Sequence, residues 1–107
     1  MKWIIAIKEV ENYKVTCQWN DGKLRSVDLK EFIEIKAKNP ENSYAQLMEK
    51  SRFKEVQCDG STLYWQDGLE YEDYDGTIKK GPLDISPDFL FGLTEDGQKL
   101  RQVYEES

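Results

Sequence analysis

The chain has 107 residues, of which 34% are charged and 12% are aromatic, with a formal net charge of −6. One domain is usual at this length, and the aromatic content is too high for a disordered acidic tail. The absence of histidine and the presence of only two cysteines, Cys17 and Cys58, exclude imidazole-based catalysis, zinc sites that use histidine and a disulfide-built fold. These exclusions favour a protein that is not an enzyme and that carries no cofactor.

The first 29 residues have the pattern of a three-stranded antiparallel meander. Residues 13–19 alternate between apolar and polar side chains, which is the period of a half-buried strand. An Ile-rich strand over residues 3–10 precedes them, and Asp21-Gly22 provides a hairpin turn into a third strand over residues 23–29. The first apolar run ends too early for a signal peptide, so we expect a cytoplasmic protein without a membrane segment. Both cysteines lie on apolar faces, where small buried side chains are expected.

The middle of the chain predicts short helices and then short strands. Residues 29–38 favour a short helix, and Ser43 with Gln46 fits a capping box that begins a second helix over residues 44–50. Short strands separated by Asp-Gly turns, which suit antiparallel pairing, are predicted over residues 53–58, 62–66 and 69–71.

The last third predicts an extra loop over about residues 72–85 and a helical segment over about residues 87–104. Ser86-Pro87-Asp88 begins that segment with a capping side chain, a proline at the first helical position and an acid in the first turn. The fold class is therefore α+β within one domain over residues 1–107. We expect an antiparallel sheet from the N-terminal meander plus two or three short strands, with two or three short helices.

Acidic residues are densest over residues 67–75. Asp73 and Asp75 fit the third and fifth positions of a calcium loop, but Tyr71 and Pro82 stand where its first and last carboxylates belong. Asp73 and Asp75 are therefore weak metal candidates, and a solvated acidic loop is the simpler interpretation. A metal-dependent enzyme or metal-binding protein that uses residues 67–75 remains the alternative function.

The same region supplies the candidate partner-binding residues. Aromatic side chains beside carboxylates suit a basic protein partner through charge complementarity. A net charge of −6 and a pI near 4.7 disfavour direct binding to nucleic acid, whose phosphates repel an acidic surface. Trp65 is expected beside an exposed turn at Asp67-Gly68. The candidate residues are Trp65, Asp67, Tyr71, Glu72 and Asp73.

Several short motifs resemble those of a known family. They are the strand over residues 13–19 with Asp21-Gly22, then Val27-Asp28-Leu29, then Phe53 with Val56, and then Trp65-Gln66-Asp67-Gly68. The chain resembles a family of small, mostly bacterial α+β domains of unknown function. Members stand alone or are fused to a helix-turn-helix DNA-binding domain, and many are encoded beside another small uncharacterised protein.

The resemblance implies a small protein-binding or regulatory module. The paired gene arrangement is toxin–antitoxin-like, so the resemblance also implies an antitoxin-like role with a small protein partner encoded nearby. Too few residues follow Leu93 for a helix-turn-helix domain. The DNA-binding role of the fused relatives is therefore not expected for this chain.

Overall fold

The computed structural model describes residues 1–106. Over these residues, two three-stranded antiparallel sheets combine with short helices, which confirms the α+β fold class. Ser107, the last residue of the predicted domain, lies outside the described residues. None of the helices in the described part of the chain is long and apolar enough to cross a membrane.

The first sheet is the predicted meander, with strands β1 (Ile4–Glu11), β2 (Lys14–Trp19) and β3 (Leu24–Asp28) in the order β1-β2-β3. The period-2 pattern of β2 is confirmed, because Val15, Cys17 and Trp19 are fully buried. Across the sheet, Val15 pairs with Val27 and Cys17 pairs with Arg25. One face of the meander therefore enters the core.

The helices lie between and after the two sheets, at positions close to those predicted. They are α1 (Lys30–Ala37), a 3-10 helix (Ser43–Met48), α2 (Lys50–Phe53), α3 (Pro87–Gly92) and α4 (Glu95–Glu106). The predicted cap at Ser86 is confirmed, because its hydroxyl accepts a hydrogen bond from the backbone N–H of Phe89 at 3.2 Å. The predicted capping box is wrong: the side chain of Asn42, rather than that of Ser43, accepts from the backbone N–H of Tyr44 at 2.9 Å.

The second sheet consists of β4 (Gln57–Cys58), β5 (Leu63–Glu72) and β6 (Ile78–Ile85), in the order β4-β5-β6. Three predictions are wrong here. The strand predicted over residues 53–58 is limited to Gln57–Cys58, because Phe53 ends α2. Most of the loop expected over residues 72–85 is the strand β6, which pairs with β5 from Ile85 out to Ile78. Asp67-Gly68 is a bulge inside β5 rather than a hairpin turn, since the register shifts between Trp65 and Leu69.

The core forms where the two sheets and the helices meet. Trp19, Trp65 and Phe53 are its largest fully buried side chains. The indole N–H of Trp65 donates to the carbonyl oxygen of Phe53 at 3.0 Å. The sheets are also joined directly, because the backbone N–H of Ile4 donates to the carbonyl oxygen of Ser61 at 2.9 Å.

Candidate protein-binding surface

The outer half of the β5–β6 hairpin, residues 69–81, projects from the domain, and we call this segment the ribbon. Its side chains are exposed or nearly so along both strands. Tyr71 is 47% exposed, Ile78 is 65% exposed, and Tyr74 at the tip is fully exposed. A two-stranded hairpin without core packing is marginally stable by itself, so local hydrogen bonds must hold the ribbon in shape.

The tip of the ribbon is a compact turn over residues 73–77. The backbone N–H of Asp73 donates to the carbonyl oxygen of Thr77 at 2.9 Å, and the N–H of Gly76 donates to that of Asp73 at 2.9 Å. Gly76 has a φ of 81°, a conformation that glycine adopts without a steric penalty. The carboxylate of Asp75 accepts from the hydroxyl and the backbone N–H of Thr77, at 2.6 and 3.0 Å. The tip is therefore ordered by its own polar groups.

The charge of the ribbon is more mixed than the sequence suggested. Lys79 forms an ion pair of 2.6 Å with Asp73, and hydrogen bonding to Lys79 lowers the pKa of Asp73 below its ordinary value. Hydrogen bonding to Thr77 lowers the pKa of Asp75 in the same way. Four acidic residues and two lysines lie over residues 69–81, so the ribbon remains net acidic.

The two faces of the ribbon carry different chemistry. Leu69 and Tyr71 alternate with Glu70 and Glu72 along β5, and alternate residues of a strand point to opposite faces. One face therefore carries Leu69 and Tyr71, with the ring of Tyr71 beside Gly81 and with Lys79 as the cross-strand neighbour of Tyr71. The other face carries the two glutamates together with their cross-strand neighbours, Lys80 and Ile78.

The structure brings together only some of the candidate residues. Tyr71, Glu72 and Asp73 line one shallow hollow at the tip, together with Tyr74. Asp67 lies in the bulge at the base of the ribbon with a φ of 57°. The prediction that Trp65 is exposed is wrong, because its side chain is fully buried and it lies within β5, before the bulge, rather than beside a hairpin turn.

Two side chains that sequence reasoning did not assign to this region fix the base of the ribbon. Arg52 donates to the carbonyl oxygen of Gln66 at 2.8 Å, and the amide of Gln46 donates to that of Gly68 at 2.8 Å. Arg52 also donates to the side-chain oxygen of Gln46 at 2.9 Å. No local sequence pattern identifies this pair, because Gln46 contacts a carbonyl 22 positions away.

The metal candidates do not converge on one point. Asp73 is paired with Lys79, and Asp75 is engaged by Thr77. In the described residues, no group of three or more acidic or cysteine side chains is placed to hold a metal ion.

A second exposed apolar surface was also missed. A groove between α1 and the α3–α4 pair is lined by Phe32, Phe89 and Leu93, with the half-exposed Ile35 at its side. The feature of the sequence that could have indicated this groove is the spacing of Phe32 and Ile35, because residues three apart on a helix lie on the same face.

Comparison with known proteins supports the fold alone. No protein-family model and no curated protein matches the sequence. A crystal structure of a Nitrosomonas europaea protein named "Putative DNA Binding Protein" resembles the chain with a TM-score of 0.54 and 13% identity. The match covers 92% of this chain and 52% of that protein, so the chain spans about half its length. The two proteins therefore share an α+β domain fold.

Proposed function

We propose that this chain is a small, non-enzymatic protein-binding module of the antitoxin-like kind, and that the ribbon is its contact surface. The observation that carries the proposal is the exposure of large apolar and aromatic side chains on a projecting segment. Tyr71, Tyr74 and Ile78 pack into no core, and aromatic side chains are enriched in protein interfaces. Carboxylates beside them favour a partner with a basic surface.

We propose that the chain belongs to the small bacterial α+β family that its sequence motifs resemble. The fold that it shares with a bacterial protein supports this proposal. The proposed partner is therefore a small protein encoded beside the gene. The name of the Nitrosomonas europaea protein refers to DNA binding by that protein. For this chain the net charge of −6 favours a protein partner, because DNA binding depends on neutralising phosphates. The absence of histidine supports the proposal that the chain is not an enzyme.

The test measures binding to the small proteins encoded beside the gene by titration calorimetry. A variant with Tyr71→Ser, Tyr74→Ser and Ile78→Ser is expected to weaken binding by at least about tenfold, because buried aromatic contacts dominate interface energies. Leu24→Ser is the matched control, since Leu24 on β3 is 61% exposed and lies outside the ribbon.

Three outcomes would contradict the proposal. The first is that no neighbouring gene product binds. The second is that the ribbon variant binds as tightly as the parent chain. The third is ribbon-dependent binding to a DNA fragment at physiological salt, which would identify nucleic acid as the ligand instead.

A further inference from the structure

One edge of the ribbon lacks a neighbouring strand. The strand β4 pairs with β5 only at Leu63 and Tyr64. Beyond that point, Arg52 and Gln46 occupy the carbonyl oxygens of Gln66 and Gly68. Within residues 1–106 no strand pairs with this side of β5 over residues 69–72. A free strand edge is a template for a further strand.

The register shows which backbone groups face that edge. Antiparallel pairs alternate between hydrogen-bonded and non-hydrogen-bonded positions. The hydrogen bond from the N–H of Asp73 to the oxygen of Thr77 makes the next pair, Glu72 with Ile78, non-hydrogen-bonded. Glu70 and Glu72 therefore direct their N–H and C=O groups away from β6, and these groups form the open edge.

The opposite edge, along β6, is less open to an added strand. The same alternation directs Ile78, Lys80, Pro82 and Asp84 outward. Pro82 has no N–H to offer, and the carbonyl oxygen of Asp84 already accepts from the hydroxyl of Tyr44 at 2.7 Å. Lysine and proline are the residues that commonly block exposed edges. Ile78 and Lys80 still face outward there, but lysine disfavours strand addition, so the edge along β5 is the more accessible one.

The side chains beside the open edge define its occupant. A strand added there would lie beside Leu69 and Tyr71 on one face and beside Glu70 and Glu72 on the other. It would therefore alternate apolar and basic residues. A second copy of this chain that paired through the same edge would place glutamates near glutamates, which is unfavourable.

We propose that the β5 edge at Glu70–Glu72 binds an extended segment of another protein, with alternating basic and apolar residues, as an added strand of the sheet. The inference rests on the proposed function and deepens it, since it specifies how the ribbon contacts its partner. Main-chain hydrogen bonds would supply affinity, and the alternating side chains would supply specificity.

The experiment uses the full chain and a synthetic peptide that alternates lysine and valine. Glu72→Pro removes an outward-facing N–H from the proposed edge, whereas Lys80→Pro removes one from the opposite edge, at a position that pairs with Glu70. We expect Glu72→Pro to weaken peptide binding by at least about tenfold and Lys80→Pro by less than about twofold. Thermal melting of both variants shows whether either has lost its fold.

Amide hydrogen exchange of the unmodified chain provides a second measurement that does not depend on the variants. In the chain without peptide, the N–H groups of Glu70 and Glu72 should exchange faster than that of Tyr71, which pairs with Lys79. With the peptide bound, exchange at Glu70 and Glu72 should slow. A peptide alternating glutamate and valine should produce neither effect.

The inference would be overturned if the two proline variants weakened peptide binding equally, or if the peptide slowed amide exchange at Ile78 and Lys80 instead of Glu70 and Glu72. Binding of the acidic peptide would also contradict it. So would self-association of the chain that Glu72→Pro alone abolishes. The proposed function and the strand-addition inference can be tested independently of each other. If the natural partner requires Tyr71, Tyr74 and Ile78 but tolerates both prolines equally, the ribbon is the contact surface and strand addition is wrong.

Discussion

Arg25 and Asp96 are 71 positions apart in the sequence, yet Nε of Arg25 lies 2.7 Å from Oδ2 of Asp96. The arginine side chain is only 7% exposed, and its guanidinium lies over the neighbouring rings of Trp19 and Phe91, at 5.9 and 5.4 Å from their centroids. Its other nitrogens donate to both carboxylate oxygens of Asp21, at 3.0 and 2.7 Å. This contact ties the first turn of α4 to the start of β3.

The first prediction is that Asp96→Ala loosens α4 while the rest of the domain stays intact. Asp96 carries the contact to Arg25, whereas Glu95 in the same turn is exposed and pairs only with Lys99 at 3.3 Å among the described residues. Glu95→Ala is therefore a matched control that loses the same helix-terminal charge. Amide exchange in α4 should become faster in Asp96→Ala and stay unchanged in Glu95→Ala. Equal exchange in the two variants would contradict the anchoring role.

The second prediction concerns acid stability. Hydrogen bonds from Arg25 lower the pKa values of both Asp21 and Asp96 below their ordinary value of 3.8. A carboxyl with a lowered pKa in the folded state stabilises the fold above its ordinary pKa, and this contribution disappears as the pH falls below that value. The free energy of unfolding in urea should therefore decrease as the pH falls below about 4.

Arg25→Met is the variant that tests the origin of this pH dependence. It retains an apolar side chain against Trp19 and Phe91 but removes the hydrogen bonds to the two carboxylates. Its unfolding free energy should vary less steeply below pH 4 than that of the parent chain. If the variant is as acid-sensitive as the parent chain, the loss of stability at low pH comes from other carboxylates. One such carboxylate is Asp73, whose pKa is lowered by Lys79.

The third prediction corrects the role that the sequence suggested for Trp65. Because its side chain is fully buried and its N–H is hydrogen-bonded, Trp65→Ala should destabilise the domain by about 3 to 5 kcal/mol. Trp3→Ala is the control, since Trp3 is 41% exposed and should cost much less. Denaturant unfolding measures both, and similar losses would contradict the assignment of Trp65 to the core.

Local pattern was sufficient to predict the meander and the helix begun by Ser86. In β2 the alternation of side chains is a direct consequence of strand geometry, and one face of that strand is buried. The cap at Ser86 is likewise a contact within three residues. Such features depend on neighbours in the chain, so the sequence alone contains the necessary information.

The errors arose where one local signal is compatible with two structures. Asp-Gly tolerates a positive φ both in a hairpin turn and in a bulge, and Asp67 uses it in a bulge. Because the strand continues through the bulge, Trp65 lies inside β5, where its ring packs against that of Phe53. The arginine contacts of the ribbon base and of α4 bridge distant segments, so no local pattern predicts them.

The fourth prediction is that Gly68 is required by packing. A Cβ at this position would stand 2.7 Å from the Cβ of Leu83, so Gly68→Ala should overpack the base of the ribbon and destabilise the domain by about 1 to 3 kcal/mol. Gly92→Ala in α3 is the control, because its Cβ would meet Arg101 at an ordinary 3.5 Å. Gly92→Ala should be neutral or stabilising, since alanine favours helix over glycine. Thermal melting compares the two, and equal stability would show that Leu83 can move aside.

The fifth prediction concerns the thiol of Cys17. Burial, together with the nearby Cys58, raises its pKa to about 12, and the thiolate is the form that reacts. At pH 8 only about one Cys17 in ten thousand is then ionised in the folded state. In a Cys58→Ser variant, a disulfide-forming thiol reagent should modify Cys17 only when the domain opens. The modification rate should therefore increase with denaturant in parallel with unfolding. Folded protein that reacts as fast as unfolded protein would show that Cys17 is accessible without unfolding.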